Sequence, residues 1–275
     1  MLEFLAKRQR VMIRYQWHLF CLAVMFFTRI PVAKNLPYSE KRMNQANRYF
    51  SLVGILIGAI IGIGYCILSA LFPLEIVVVL VMIMSVMLTG AFHEDGLADM
   101  ADGIGGGYTQ EKRLLIMKDS RIGTYGATAL IMSLLLKFTL LVEIANHSRF
   151  IIAVILAYGL SRACAASLIF DTSYVSDESN SKSKPLAAKQ SKREYQILVV
   201  IGLTPCIAFF WFFDDVIPLL ITLVCTLWGF RFLFRRWIIA RIGGFTGDCL
   251  GAAQQISELL IYLVIVNHLS TMGIN

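Results

Sequence analysis

Long runs of apolar residues, separated by short polar segments, dominate this sequence. Each run approaches the roughly 20 residues that an α-helix needs to cross a hydrocarbon layer about 30 Å thick. The runs are continuous and do not alternate between apolar and polar residues, which excludes a porin-like barrel. The pattern predicts an all-α, polytopic transmembrane helical bundle of about seven spans, at residues 50–72, 75–92, 125–145, 150–170, 196–213, 216–234 and 249–267.

A further apolar stretch, from about Trp17 to Phe27, is short for a span and has basic segments on both sides. We interpret it as a short N-terminal re-entrant or interfacial helix, with an ordinary transmembrane helix as the alternative. No small-residue cleavage site follows it, so a removable signal peptide is not expected.

Composition supports a membrane protein and excludes other classes. Of the 275 residues, 57% are apolar and 16% are charged, and the mean hydropathy is +0.70; these values exclude a soluble globular domain and a disordered chain. The six cysteines form no CxxC pair, so neither a disulfide framework nor a zinc site is expected. The net charge of +7 comes without a basic face interleaved with aromatic residues, so no nucleic acid partner is expected.

Basic residues are concentrated in a few of the polar segments, which hold 21 of the 25 Lys and Arg. The positive-inside rule places these segments in the cytoplasm: 1–14, 31–49, 93–124, 171–195 and 231–247. We treat residues 1–275 as a single integral-membrane domain. Its Ser/Lys-rich segment 171–195 is interpreted as a mobile loop in which chemistry is least expected.

Four carboxylates fall within nine residues directly after a predicted span, in the stretch from His93 to Gly103. At helical spacing Asp95, Asp99 and Asp102 project from one face, where like charges repel unless a cation is present. Hard carboxylate oxygens without cysteine favour Mg²⁺, or else Mn²⁺ or Ca²⁺, over zinc. The alternative is a solvated acidic helix start that is stabilised by the helix dipole.

The next polar elements are suited to binding phosphate. Residues 103–107 (GIGGG) let backbone amides approach an anion, or else form a flexible turn. Lys118 and Arg121 flank Asp119 at the entrance to the following span and are candidates to clamp phosphate oxygens. Contact with lipid headgroups is the alternative for these cations.

Arg162 lies inside an apolar span and is a functional candidate that pairs with the carboxylates or binds a phosphate; snorkelling to the interface is the alternative. Lys137 also lies in mid-span, with no partner that the sequence identifies. Glu258 is a candidate ligand or a packed polar group, and Gln254 with Gln255 is a candidate to line the same cavity.

A second glycine-rich junction, residues 241–252, opens the last span. Thr246 is placed to cap that helix, and Asp248 to supply a further oxygen ligand or to accept a hydroxyl proton. A plain N-cap without chemistry is the alternative for Asp248. Segments 93–124 and 241–252 are therefore the two candidate catalytic segments.

Several motifs occur in order along the chain: Phe27-Thr28-Arg29-Ile30-Pro31-Val32, His93-x-Asp95-Gly-Leu-Ala-Asp99-x-x-Asp102-Gly, Lys118-Asp119-Ser120-Arg121-Ile122-Gly123, Ser161-Arg162 and Gly243-Gly244-x-Thr246-Gly247-Asp248-x-Leu250-Gly251-Ala252. Together they resemble the cobalamin synthase (adenosylcobinamide-GDP ribazoletransferase) family over most of the chain. One departure is Glu94, where the family commonly has an apolar residue, and the 171–195 loop matches poorly.

The resemblance implies a Mg²⁺-dependent enzyme of the cell inner (cytoplasmic) membrane with its active site facing the cytoplasm. Adenosylcobinamide-GDP and α-ribazole, or α-ribazole 5′-phosphate, would give adenosylcobalamin, or its 5′-phosphate, and GMP. We expect contact with membrane lipid and, as one option, a homo-oligomer.

The residue roles expected on this basis fall into three groups. Asp95, Asp99 and Asp102 hold Mg²⁺, with Asp248 as a further ligand or the general base and Asp99 central to catalysis. Lys118, Arg121 and Arg162 neutralise phosphate oxygens as GMP leaves. The remaining candidate binding residues are His93, Asp119 and Thr246.

Two other classes compete with this interpretation. CDP-alcohol phosphotransferases also carry Asp-Gly and Asp-x-x-x-Asp elements at the membrane surface. Their signature has Ala-Arg after Asp-Gly, where this chain has Leu97-Ala98, and a second Asp-x-x-x-Asp element that this chain lacks. A secondary transporter also uses intramembrane charge, but the acidic cluster lies outside the predicted hydrocarbon region and no inverted repeat is evident.

Overall fold

The computed structural model describes residues 1–33, 35–175, 187–212 and 216–271. Within these residues the chain is helical, and one isolated β-bridge joins Tyr174 to Phe245. The all-α prediction is therefore confirmed. The helices are α1 (Leu2–Phe27), α2 (Glu40–Ala46), α3 (Phe50–Ser69), α4 (Leu74–Thr89), α5 (Phe92–Gly106), α6 (Gln110–Met117), α7 (Thr124–Asn146), α8 (Phe150–Ser167), α9 (Lys192–Phe212), α10 (Val216–Ile242) and α11 (Gly247–Thr271), with 3₁₀ turns at Asn47–Tyr49 and Leu168–Phe170.

Five helical segments in the described part of the chain are long and apolar enough to cross a membrane. They coincide with five of the predicted spans and indicate a multi-pass membrane protein. The predicted span at 196–213 falls in α9, which ends where the described residues break off. The five segments are Glu40–Ser69, Thr124–Asn146, Phe150–Phe170, Val216–Ile242 and Gly247–Thr271.

The predicted span at 75–92 is interrupted. Helix α4 ends at Thr89, and α5 leaves it at an angle of 85°. Gly90 and Ala91 between them both have a positive φ, 67° and 57°, a left-handed conformation that ends a helix. The pair counts as a sixth span only if both helices are taken together. The break turns the acidic stretch into a helix of its own.

The N-terminal helix is longer than predicted: α1 is a single helix of 26 residues. The basic residues before Trp17 are good helix formers, so the helix continues through them. Arg8, Arg10 and Arg14 are exposed, whereas Leu19 and Leu22 are buried. Helix α1 is not among the five spanning candidates, so its interfacial placement stays a prediction.

The end of α1 is fixed beside the α4–α5 break. Thr28 Oγ1 donates to the carbonyl of Val24 at 2.7 Å, and the amide of Arg29 donates to the carbonyl of Leu88 at 2.7 Å. The segment after α1 that contains Thr28 and Arg29 is therefore anchored to the last turn of α4, next to the start of α5.

Residues 176–186 of the predicted mobile loop lie outside the described residues. The flanks of this loop are held in place. Asp171 accepts a hydrogen bond from Arg231 at 2.7 Å, Tyr174 pairs with Phe245, and Glu194 on α9 forms a buried ion pair with Arg48 at 2.6 Å.

Candidate functional site

Helices α5 and α11 cross at two glycines. A Cβ added to Gly96 would lie 3.1 Å from the Cα and the carbonyl oxygen of Asp248, and one added to Gly251 would lie 3.2 Å from the Cα of Gly96. These distances are shorter than most side-chain contacts, so glycine at both positions lets the two backbones approach closely. The contact therefore brings the acidic helix α5 against the first turn of α11.

This crossing collects carboxylates from the two predicted segments. Asp95 and Asp99 lie one turn apart on α5, and Asp248 lies in the first turn of α11. Burial, followed by the charges of Asp95, Asp248 and Asp102, raises the pKa of Asp99 to about 7. Asp99 lies outside the five spanning candidates. A carboxylate crowded in this way is stabilised by a cation.

The carboxylates do not form a closed metal cage. In the described part of the chain, no three His, Cys, Asp or Glu side chains are grouped so as to hold a metal ion by themselves. Mg²⁺ is usually held by one or two carboxylates, and water and substrate phosphates complete its coordination. The oxygen-only donors at the α5–α11 crossing fit such an open site.

Asp102 has a different environment from the other carboxylates. Its two oxygens accept hydrogen bonds from the amides of Gly123, at 2.7 Å, and Gly126, at 2.8 Å, in the first turn of α7. A Cβ added to Gly123 would lie 2.5 Å from Asp102 Oδ1. Asp102 thus caps α7 from a neighbouring helix and fixes α5 against it.

The predicted phosphate clamp lies in the turn before α7. Arg121 Nη2 is 2.6 Å from Asp119 Oδ2, and the Arg121 side chain is 87% exposed. The hydrogen bonds from Arg121 lower the pKa of Asp119 to about 2. Lys118, at the end of α6, is exposed as well. These groups reach solvent close to the α7 amides that Asp102 binds.

Thr246 begins α11 as predicted. Its Oγ1 accepts from the amide of Cys249 at 3.3 Å and donates to Asp248 Oδ2 at 3.3 Å. The same hydroxyl therefore caps the helix and orients the Asp248 carboxylate.

Arg162 and His93 are enclosed by aromatic rings. Both are 2% exposed. The Arg162 guanidinium lies 4.9 Å from the Tyr158 ring and 5.8 Å from the Phe50 ring, and its Nη1 donates to the Tyr158 carbonyl at 3.2 Å. Among the described residues no carboxylate forms an ion pair with Arg162, and its Nε and the Nε2 of His93 have no hydrogen-bond partner. A cavity of about 40 Å³, lined in part by His93, lies beside the α5–α11 crossing.

Sequence reasoning did not find the residue that ties the two glycine-rich segments together. Arg113 on α6 donates through Nε to the carbonyl of Gly107, and through Nη1 to the carbonyl of Arg241, both at 2.9 Å. Nothing in the sequence around Arg113, which lies in a short helix, indicates this role.

Comparison with known proteins gives one consistent result. Residues 19–266 match the family model described as cobalamin-5-phosphate synthase. A Vibrio cholerae protein named adenosylcobinamide-GDP ribazoletransferase is 56% identical over 254 residues, which cover 92% of this chain and 95% of that protein. Proteins of the same name from Vibrio parahaemolyticus and Shewanella amazonensis are 55% and 49% identical; the alignments cover 92% and 90% of this chain and 94% of each relative. No solved structure matches the chain significantly.

Proposed function

The chain belongs to the cobalamin-5-phosphate synthase family, and on that basis we propose that it is an adenosylcobinamide-GDP ribazoletransferase. A ribose hydroxyl of α-ribazole, or of α-ribazole 5′-phosphate, attacks the phosphorus that bears adenosylcobinamide. The bond from that phosphorus to GMP breaks, and the hydroxyl proton passes to a carboxylate. The products are adenosylcobalamin, or its 5′-phosphate, and GMP.

The observation that carries this proposal is the meeting of Asp95 and Asp99 with Asp248 where α5 crosses α11. Transfer of a phosphoryl group between two oxygens depends on positioning and on neutralising charge. Carboxylates supply both a cation site and a proton acceptor, and this crossing supplies carboxylates from two helices. The matched family region, residues 19–266, includes both segments.

Asp95, Asp99 and Asp248 are the candidates from which one or two carboxylates would hold Mg²⁺ against the diphosphate, because no three such groups surround a single ion position among the described residues. When bound, the ion spreads the negative charge of the transferring phosphoryl group. Asp102, expected from its spacing to be a third ligand on α5, we assign to orienting that helix, because both of its oxygens already accept amide hydrogen bonds. Asp248 has a second available role as the base that takes the hydroxyl proton.

The cations have separate roles. Arg121 and Lys118 bind phosphate oxygens of adenosylcobinamide-GDP. The ion pair of Arg121 with Asp119 is exposed and weak, so a phosphate oxygen can replace Asp119 as the partner of Arg121. Asp119 holds Arg121 ready, and Thr246 orients Asp248. Arg162 and His93 lie on the buried side of the site. There the Arg162 guanidinium contributes positive electrostatic potential beside the negative charge that develops on the transferring phosphoryl group.

We place the enzyme in the cell inner membrane, with the α5–α11 crossing at the cytoplasmic face. The support is the concentration of Lys and Arg in the segments that flank this crossing.

Asp99→Asn tests the proposal, with Glu111→Gln, an exposed carboxylate on α6, as the matched control. Formation of cobalamin and GMP should be lost in the first variant and kept in the second. Product formation at the wild-type rate by Asp99→Asn would overturn the assignment of the site.

A further inference from the structure

An ion pair lies inside the bundle, apart from the site described above. Lys137 Nζ on α7 is 2.6 Å from Glu258 Oε1 on α11, and the two side chains are 5% and 2% exposed. Charges within a membrane-crossing helix are expensive, and an apolar pair of similar volume is often at least as stable. Stability alone therefore does not explain why both charges are there.

Side-chain amides connect this ion pair to helices α8 and α5. Gln254 Nε2 donates to Glu258 Oε2 at 2.6 Å and to Ser161 Oγ on α8 at 3.1 Å. Gln255 Nε2 donates to Gln254 Oε1 and to Glu94 Oε1 on α5, both at 3.0 Å. We call this connected set the buried polar chain: Lys137, Glu258, Gln254, Gln255 and Glu94.

The buried polar chain ends next to the carboxylate site. Glu94 is the residue before Asp95, and it is 8% exposed. Its Oε2 has no hydrogen-bond partner among the described residues, so the bond from Gln255 is what holds this carboxylate. This contact also accounts for an acidic residue at a position where an apolar one was expected.

The spacing of residues on α11 shows that the buried polar chain constrains the rotation of this helix. Asp248, Gly251 and Gln255 are separated by three and four residues, so they lie along one face of α11, the face that meets α5. The Gln255 contact therefore fixes the rotation of α11 about its own axis. The Lys137 contact joins α11 to α7, the helix whose first turn is bound by Asp102.

We propose that the buried polar chain sets the register of α11 against α5, and so holds Asp248 in place beside Asp95 and Asp99. Lys137, Glu258 and Gln255 are then positioning residues for the transfer reaction. The kinetic part of this inference rests on the proposed function. The register itself is a property of the helices and is measured without turnover.

Two variants separate register from stability. Gln255→Leu removes the contact with Glu94 and keeps the ion pair, and the double variant Lys137→Met/Glu258→Met removes both charges together. The double variant leaves neither member of the ion pair without its partner, so it should melt closer to the wild-type temperature than either single variant. Asn267→Leu, an exposed position on α11, is the control, and Lys137→Arg, which keeps the cation, should retain most activity.

The expected result is a kcat about 10- to 100-fold lower in Gln255→Leu and in the double variant, because small displacements of reacting groups are costly. The KM values of both substrates should change by less than about threefold, since substrate contacts are intact. Wild-type kcat in Gln255→Leu would overturn the proposal, whether or not the double variant folds.

A wild-type protein without transferase activity would contradict the proposed function and leave the helix register untouched. In that case hydrogen–deuterium exchange tests the register directly. Amides of residues 92–99 and 247–255 should exchange faster in Gln255→Leu than in the wild type, and those of α10 should be unchanged. Unchanged exchange in residues 92–99 would then overturn the inference.

Discussion

Gly96 and Asp248 lie so close that a Cβ on Gly96 would be 3.1 Å from the Cα and the carbonyl oxygen of Asp248. This contact fixes the distance between the carboxylates of α5 and that of α11. A side chain at position 96 should therefore act on catalysis by changing the spacing of groups that are themselves untouched.

Gly96→Ala should separate α5 from α11 by a few tenths of an ångström or more. We expect an overpacking cost of about 1–3 kcal/mol and a fall in kcat of about 10-fold or more. Gly229→Ala on α10, where a Cβ meets nothing within 4 Å, is the control and should leave both unchanged. Thermal melting and GMP release measure the two effects. Equal activity in the two variants would show that the close contact is not required.

Asp99→Asn should abolish turnover without unfolding the protein, because the half-buried carboxylate is surrounded by like charges that its loss relieves. The variant should melt at or above the wild-type temperature. A large loss of thermal stability would show that Asp99 has a structural role in the fold.

Asp102→Ala should behave in the opposite way and lower stability. It leaves the buried amide of Gly126 and the part-buried amide of Gly123 without their acceptor, at a cost of about 1–3 kcal/mol. Denaturation of the purified protein in detergent measures the loss. An unchanged melting temperature would contradict the capping role and favour Asp102 as a direct ligand.

Arg121→Ala should raise the KM for adenosylcobinamide-GDP by about 3- to 10-fold, because a charge-assisted contact to phosphate is lost. Its ion pair with Asp119 is exposed, so stability should not change measurably. Arg14→Ala, an exposed arginine on α1, is the control and should have a wild-type KM. Equal KM values in the two variants would remove Arg121 from the phosphate clamp.

Cysteine labelling can show which side of the membrane the site faces. Tyr108, at the end of α5, is 95% exposed. In a background with Cys66 and Cys225 replaced by serine, Tyr108→Cys should react with a membrane-impermeant maleimide in inverted vesicles and not in right-side-out vesicles. The reverse pattern would place the carboxylates on the periplasmic side.

The local pattern of the sequence predicted most of the spanning segments. Apolar runs located five of them, but they did not reveal the break at Gly90 and Ala91 that separates α4 from α5. The spacing of Asp95, Asp99 and Asp102 predicted a common face, but not that Asp102 binds the amides of α7. The length of α1 was underestimated, because its basic first half has helix-forming residues without an apolar run.

Pairing between distant helices was beyond reach of the local pattern. The partner of Lys137 is Glu258, more than a hundred residues away, and nothing near either residue encodes their equal depth in the bundle. The capping of α7 by Asp102 likewise depends on how α5 packs against the next span. Both contacts follow from tertiary packing, which short-range periodicity does not specify.

The most direct test is release of GMP by the purified protein supplied with adenosylcobinamide-GDP and α-ribazole, first with Mg²⁺ and then with excess chelator. We predict GMP together with a new cobalamin product when Mg²⁺ is present, and neither when it is chelated. Release of GMP undiminished by chelation would contradict the metal site at Asp95, Asp99 and Asp248. No release in either condition, from protein shown to be folded, would contradict the transferase function itself.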